Sequence, residues 1–113
     1  MLFDVVSGTT PQFTANLVDQ DDNPVSTANL TTLKITVFDV KTRAVINSRD
    51  RQNAKNANNV TYDDGALVWD IQPADLPATD ETQYLCVFEW TWDSGARAGS
   101  SHFTLRVSPV PRP

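Results

Sequence analysis

Apolar and polar residues alternate along most of this chain with a period of two, the spacing of half-buried β-strands. Phe13, Ala15 and Leu17 alternate with Thr14 and Asn16. The cluster Asp19-Gln20-Asp21-Asp22-Asn23-Pro24 then predicts a reversal, because these residues bond their own backbone or fix φ. Leu33, Ile35 and Val37 mark a second strand ending near Asp39, and Lys41-Thr42-Arg43 a hairpin loop into a short strand at Ala44-Val45-Ile46-Asn47. From Ser48 to Asn59 four asparagines and no large apolar residue predict a loop, since asparagine competes with a helical turn around residues 52–57 by bonding local backbone. Val60-Thr61-Tyr62, the Asp63-Asp64-Gly65 turn and Leu67 to Ile71 read as a hairpin. Gln72 to Pro77 crosses over through a 3₁₀ turn. Gln83 to Trp92 is the longest strand, with Tyr84, Cys86, Phe88, Trp90 and Trp92 on one face and Leu85, Val87, Glu89 and Thr91 on the other. A turn at Asp93 to Arg97 leads to Ser101–Val107, where Phe103, Leu105 and Val107 alternate.

These elements predict an all-β fold: a single immunoglobulin-like antiparallel β-sandwich of about seven strands over residues 11–107, with extended N- and C-terminal ends. Trp69, Phe88 and Leu105 are its expected core. Residues 1–10 read as an N-terminal arm, since Leu2, Phe3, Val5 and Val6 are too apolar for a free tail and Ser7 to Pro11 separates them from the first strand. Ten extended residues reach roughly 33 Å, far enough to pair with a neighbouring subunit. The Pro-rich tail at residues 108–113 suits polyproline II.

Length and composition agree with one domain: the chain has 113 residues, 40% of them hydrophobic, and one cysteine, so packing rather than disulfides must hold it. No apolar run approaches the length of a membrane helix, and no secretory signal is apparent at the N-terminus. A net charge of −5 argues against a nucleic-acid partner.

Candidate chemistry is sparse. Asp19, Asp21 and Asn23 match the start of an EF-hand calcium loop, but Pro24 and Leu30 stand where such a loop needs Gly and Glu, so a hairpin turn is the better reading. His102 lacks a second base, a nucleophile or a metal partner and is expected at the surface. Asp63, Asp64, Asp70 and Glu89 form no recognisable acid–base pattern, so neither an enzyme nor a cofactor is expected. Cys86, among apolar residues, reads as a small core hydrophobe. Asn29-Leu30-Thr31 and Asn59-Val60-Thr61 are sequons that carry no meaning without a secretory signal.

Charge sorting is more informative. Lys41, Arg43, Arg49, Arg51 and Lys55 put five of the nine bases into fifteen residues that hold one acid, Asp50. This predicts a basic docking face, with the N-terminal arm as a second, apolar contact.

Pro24-Val25, Leu33 to Asp39, Val45-Ile46-Asn47, Gly65 to Asp75 and Tyr84 to Gly95 together resemble short tailed-bacteriophage structural proteins, related in pattern to the N-terminal immunoglobulin-like domain of phage baseplate upper proteins. The resemblance covers about residues 15 to 107. It implies a non-enzymatic virion component assembled in the host cytoplasm, whose partners are the major capsid protein or other virion proteins, with self-association on the particle and no membrane or nucleic-acid partner. A single sandwich with extended ends suits a capsid decoration or cement protein. A neck, tail or baseplate accessory is the alternative. A cellular adhesion or carbohydrate-binding sandwich, with Trp90, Trp92 or Phe38 as a stacking platform, is a further one.

Overall fold

A computed structural model describes residues 1–111. Among the described residues, eight strands form two sheets, β1 (Leu2–Val6), β2 (Gln12–Asn16), β3 (Leu30–Asp39), β4 (Gln52–Asn53), β5 (Val60–Asp63), β6 (Ala66–Asp70), β7 (Thr82–Trp92) and β8 (Arg97–Ser108). The five-stranded sheet runs β1-β8-β7-β3-β4 and the three-stranded sheet β2-β6-β5. A single 3₁₀ turn at Pro73–Asp75 carries the chain from β6 to β7. The fold is thus the expected all-β sandwich of two sheets.

The alternation predicts the inner faces correctly. Leu33, Ile35 and Val37 of β3, Tyr84, Cys86, Phe88 and Trp92 of β7, and Phe103, Leu105 and Val107 of β8 are buried from one sheet, and Leu67 and Trp69 of β6 from the other. Aromatic rings tie the sheets together. Phe13 of β2 stacks on Phe103 of β8 at a centroid distance of 4.0 Å, and Trp69 meets Phe88 edge-on at 5.9 Å. Close packing is also set by backbone: a Cβ on Gly99 of β8 would come within 2.8 Å of the Trp90 indole. Gly65, at φ +101°, closes the β5–β6 turn against Pro24.

Three expectations change. Residues 1–10 are not a free arm: β1 joins the five-stranded sheet, parallel to β8, with Leu2 opposite Thr104 and Val6 opposite Ser108. Its Phe3 ring packs edge-on against Phe103 at 5.6 Å and Phe13 at 6.1 Å, so ring contacts and the parallel ladder to β8 hold the segment within the same molecule. This also makes the sheet mixed rather than purely antiparallel. Second, the strand expected at Ala44–Asn47 shrinks to a single bridge, Val45 to Phe38, because Asn47 and Ser48 adopt positive φ and turn the chain away. The Asn-rich loop instead contributes β4, antiparallel to β3 at Lys34 and Ile35. Third, β8 continues through Ser108, so the tail begins at Pro109; Arg112 and Pro113 of the expected tail lie outside the described residues.

The tight aromatic packing yields a first prediction. Replacing Phe88 by Ala removes a ring wedged between Trp69, Phe13 and Phe103 and should lower unfolding free energy by about 3–5 kcal/mol. Urea denaturation followed by tryptophan fluorescence measures it, and a loss below about 1 kcal/mol would contradict this packing.

Candidate interaction surface

The five bases of residues 41–55 do not form one face. Arg49 is 2% exposed and lies beneath the core. Its Nε and one terminal nitrogen reach the two carboxylate oxygens of Asp75, which is itself wholly buried. The remaining guanidinium donors go to Gln52 Oε1, the Asn58 carbonyl and Asn59 Oδ1, and the cation sits 5.6 Å from the Trp69 ring centroid. Such a bidentate, fully satisfied pair is structural, so Arg49 leaves the set of docking residues.

The other four divide as well. Lys55 Nζ donates to the Leu30 carbonyl. Lys41 lies along a shallow groove shared with Asp80 and Glu81, which dilutes its charge. Arg43 and Arg51 are exposed, and the Arg43 guanidinium rests 5.5 Å from the centroid of Phe38. The sequence shows a charge cluster because it shows proximity along the chain. The loop's repeated positive-φ residues, Asn47, Ser48, Arg51, Asn56, Asn58 and Asn59, turn those side chains in different directions.

A surface that the alternation does not single out emerges from the strand register. On the outer face of the five-stranded sheet, Leu2 pairs with Thr104, Thr104 with Leu85, Leu85 with Phe38, and Phe38 with Val45. A row of four apolar side chains, interrupted by Thr104 on β8, therefore crosses the sheet from β1 to the segment after β3, exposed at both ends, where Leu2 and Val45 are 47% and 44% accessible. His102 and Val87 pair beside it, and His102 is exposed as expected. Arg43 flanks its Phe38 end.

A second feature is a cleft of about 250 Å³ where the sheets part, lined by Phe3, Val5, Phe13, Ile71, Phe103 and Leu105 together with polar groups of β1 and β2. On its rim, Arg106 Nε binds Asp4 and lies 3.8 Å from Glu81. That hydrogen bond holds the Asp4 carboxyl below its usual range.

The remaining expected residues fall as follows. Asp19 accepts the backbone amides of Asp21 and Asn23, an ordinary turn that uses the carboxylate otherwise offered to a cation. Asp64 receives the Thr27 amide in the β5–β6 turn, Asp70 accepts from Gln12, and Glu89 faces Lys34 across the β3–β7 ladder, so these acids sit on separate elements. Trp90 and Trp92 share the inner face while Phe38 is on the outer one, so the three do not make a single stacking platform. No protein-family model matches the chain, and no match to a curated protein is found.

Cys86 is wholly buried and its thiol is pushed far up by that burial, with the nearby Asp75 carboxylate adding to the effect and Arg49 opposing it. Thiolate is the reactive form, so Cys86 should resist an aromatic disulfide reagent in the native protein and react fully in denaturant. Fast native labelling would contradict its burial. The ion pair beside it gives a third prediction. Asp75→Ala should cost about 3–5 kcal/mol by stranding the Arg49 cation, whereas the double change Arg49→Met with Asp75→Leu should cost less than the single one. Equal losses in urea denaturation would show that the pair is not coupled.

Proposed function

We propose that this protein is a non-enzymatic structural component of a tailed-phage virion, a decoration protein that lies on the major capsid protein lattice and ties neighbouring subunits together. The observation that carries this reading is the apolar row across the outer face of the five-stranded sheet, from Leu2 through Leu85 and Phe38 to Val45. Singly exposed apolar residues are ordinary, whereas four in register across an open sheet, with only the Thr104 side chain between them, suit a contact surface. Its size suits the task. The whole outer face that holds the row, polar positions included, spans roughly 700 Å² over five strands about 4.8 Å apart, with β7 and β8 running 11 and 12 residues, against about 800 Å² per partner in a stable protein interface. The resemblance of the strand and turn sequences to phage structural proteins supplies the class of partner. Exposed Arg43 and Arg51 at one end of the row add steering toward an acidic lattice.

Co-sedimentation with phage heads depleted of this chain tests the reading. The pair Leu85→Glu and Val45→Glu places charges in the apolar row and should weaken attachment at least tenfold at any salt. The pair Arg43→Glu and Arg51→Glu should weaken it in about 0.05 M salt and much less in about 1 M, where the screening length falls to about 3 Å. Parent-like attachment by both variants would overturn the assignment.

A further inference from the structure

The cleft between the sheets is bounded by two strands that each have one neighbour, β1 beside β8 and β2 beside β6. Hydrogen bonds at the ends of these strands fix which backbone groups face outward. The Thr104 amide donates to the Met1 carbonyl and the Ser7 amide to the Ser108 carbonyl, so the odd residues of β1 point at β8. Leu2 and Asp4 therefore direct both their N–H and C=O away from the sheet. By the same logic, the Ile71 amide on the Pro11 carbonyl and the Leu17 amide on the Gly65 carbonyl turn the odd positions of β2 to β6, leaving Gln12, Thr14 and Asn16 facing outward. Free edges of this kind are normally blunted by lysine, proline or a bulge. Within Leu2–Val6 there is no lysine, proline or bulge, and the one charged residue, Asp4, is engaged by Arg106.

We propose that the open edge of β1 receives an extended segment of a partner protein as a sixth strand, with alternate apolar side chains entering the Phe3–Phe13–Phe103 cleft and a basic residue placed opposite Asp4. Strand addition supplies main-chain hydrogen bonds, and the pleat supplies specificity. Positions opposite Phe3 and Val5 lie on the inner face, over the cleft. A position opposite Asp4 lies on the outer face, in parallel or antiparallel orientation alike.

Charge selects the occupant. Arg106 binds Asp4 and lies 3.8 Å from Glu81, two carboxylates that are 66% and 65% exposed, and with Asp80 and Lys41 beside Glu81 the cluster carries one acid more than it has bases. A lysine or arginine on the incoming strand completes the set. A second copy of this chain does not: a two-fold antiparallel pairing over the whole of Leu2–Val6 is centred on Asp4 and sets it against Asp4 of the other copy, a destabilising like-charge pair. The edge of β2 offers only the neutral side chains of Gln12, Thr14 and Asn16 and no such discrimination. This inference stands whether or not the partner is a virion protein.

The test uses the full chain in solution and a synthetic eight-residue peptide that alternates valine with threonine around a central arginine, with a second peptide bearing glutamate in its place. Calorimetry should give binding of the arginine peptide, weakened at least tenfold by glutamate. Amide exchange of Leu2 and Asp4 should slow when the peptide is added. Asp4→Pro deletes an outward N–H without touching the ladder to β8 and should abolish binding, whereas Thr14→Pro, the equivalent change on β2, should leave it. Asp4→Asn should keep binding and erase the preference for arginine. Amide spectra report whether each variant is folded, and the exchange measurement on the parent stands without them. Loss of binding in Thr14→Pro with retention in Asp4→Pro would overturn the proposal. So would self-association through β1 without peptide binding, equal affinity for both peptides, or no saturation up to about 1 mM.

Discussion

The ion pair of Arg49 with Asp75 is the constraint on which the lower half of this sandwich depends. Five guanidinium hydrogen bonds and one ring contact gather four separate stretches of chain: β4, the asparagines before β5, the Trp69 ring of β6 and the crossover into β7. Asp75 also accepts the Asn47 side-chain amide and the Gln72 backbone amide, so both of its oxygens are satisfied at full burial. Burying two charges carries a desolvation cost of several kcal/mol per ion, offset only when geometry and hydrogen bonding are complete. The long loop from Ile46 to Asn59, with its succession of positive-φ residues, supplies that completion. Its irregular backbone is the price of aiming so many acceptors at one cation.

Above this anchor the two sheets are held by aromatic contact. Phe3, Phe103 and Phe88 from the larger sheet interleave with Phe13 and Trp69 from the smaller one. This cluster explains why β1 stays with its own molecule, since Phe3 is the residue that couples the edge strand to the core. It also leaves the edge only half closed. Phe3 remains 39% exposed and the cleft beside it is open, so the same ring that retains β1 forms part of the floor that an added strand would cover.

Much of the sandwich is legible in the sequence because a period of two translates directly into an inner and an outer face, and β3, β6, β7 and β8 follow it with few exceptions. The candidate site is far less legible. Arg49 reads as one more solvated base because its partner is 26 positions away, in a crossover whose only hint is a lone acid between Ala74 and Leu76. Leu2 to Val6 reads as an arm because a parallel pairing with β8 joins the two ends of the chain, and no local pattern encodes contacts over a hundred residues long.

The division of the bases has a consequence for how such a domain recognises anything. If all five had stayed on the surface, a net charge of −5 would have been split into a strongly dipolar molecule, and long-range steering would dominate its contacts. Burial of Arg49, the tether of Lys55 to Leu30 and the acids beside Lys41 remove most of that dipole. What remains is a broad sheet face of modest polarity, with Arg43 lying over Phe38 at one end and an acidic edge strand at the other. On the proposed reading, the affinity of such a surface would come chiefly from shape, apolar area and backbone pairing, with charge selecting among occupants. It is therefore expected to persist at salt concentrations that would release a ligand held by ion pairs alone.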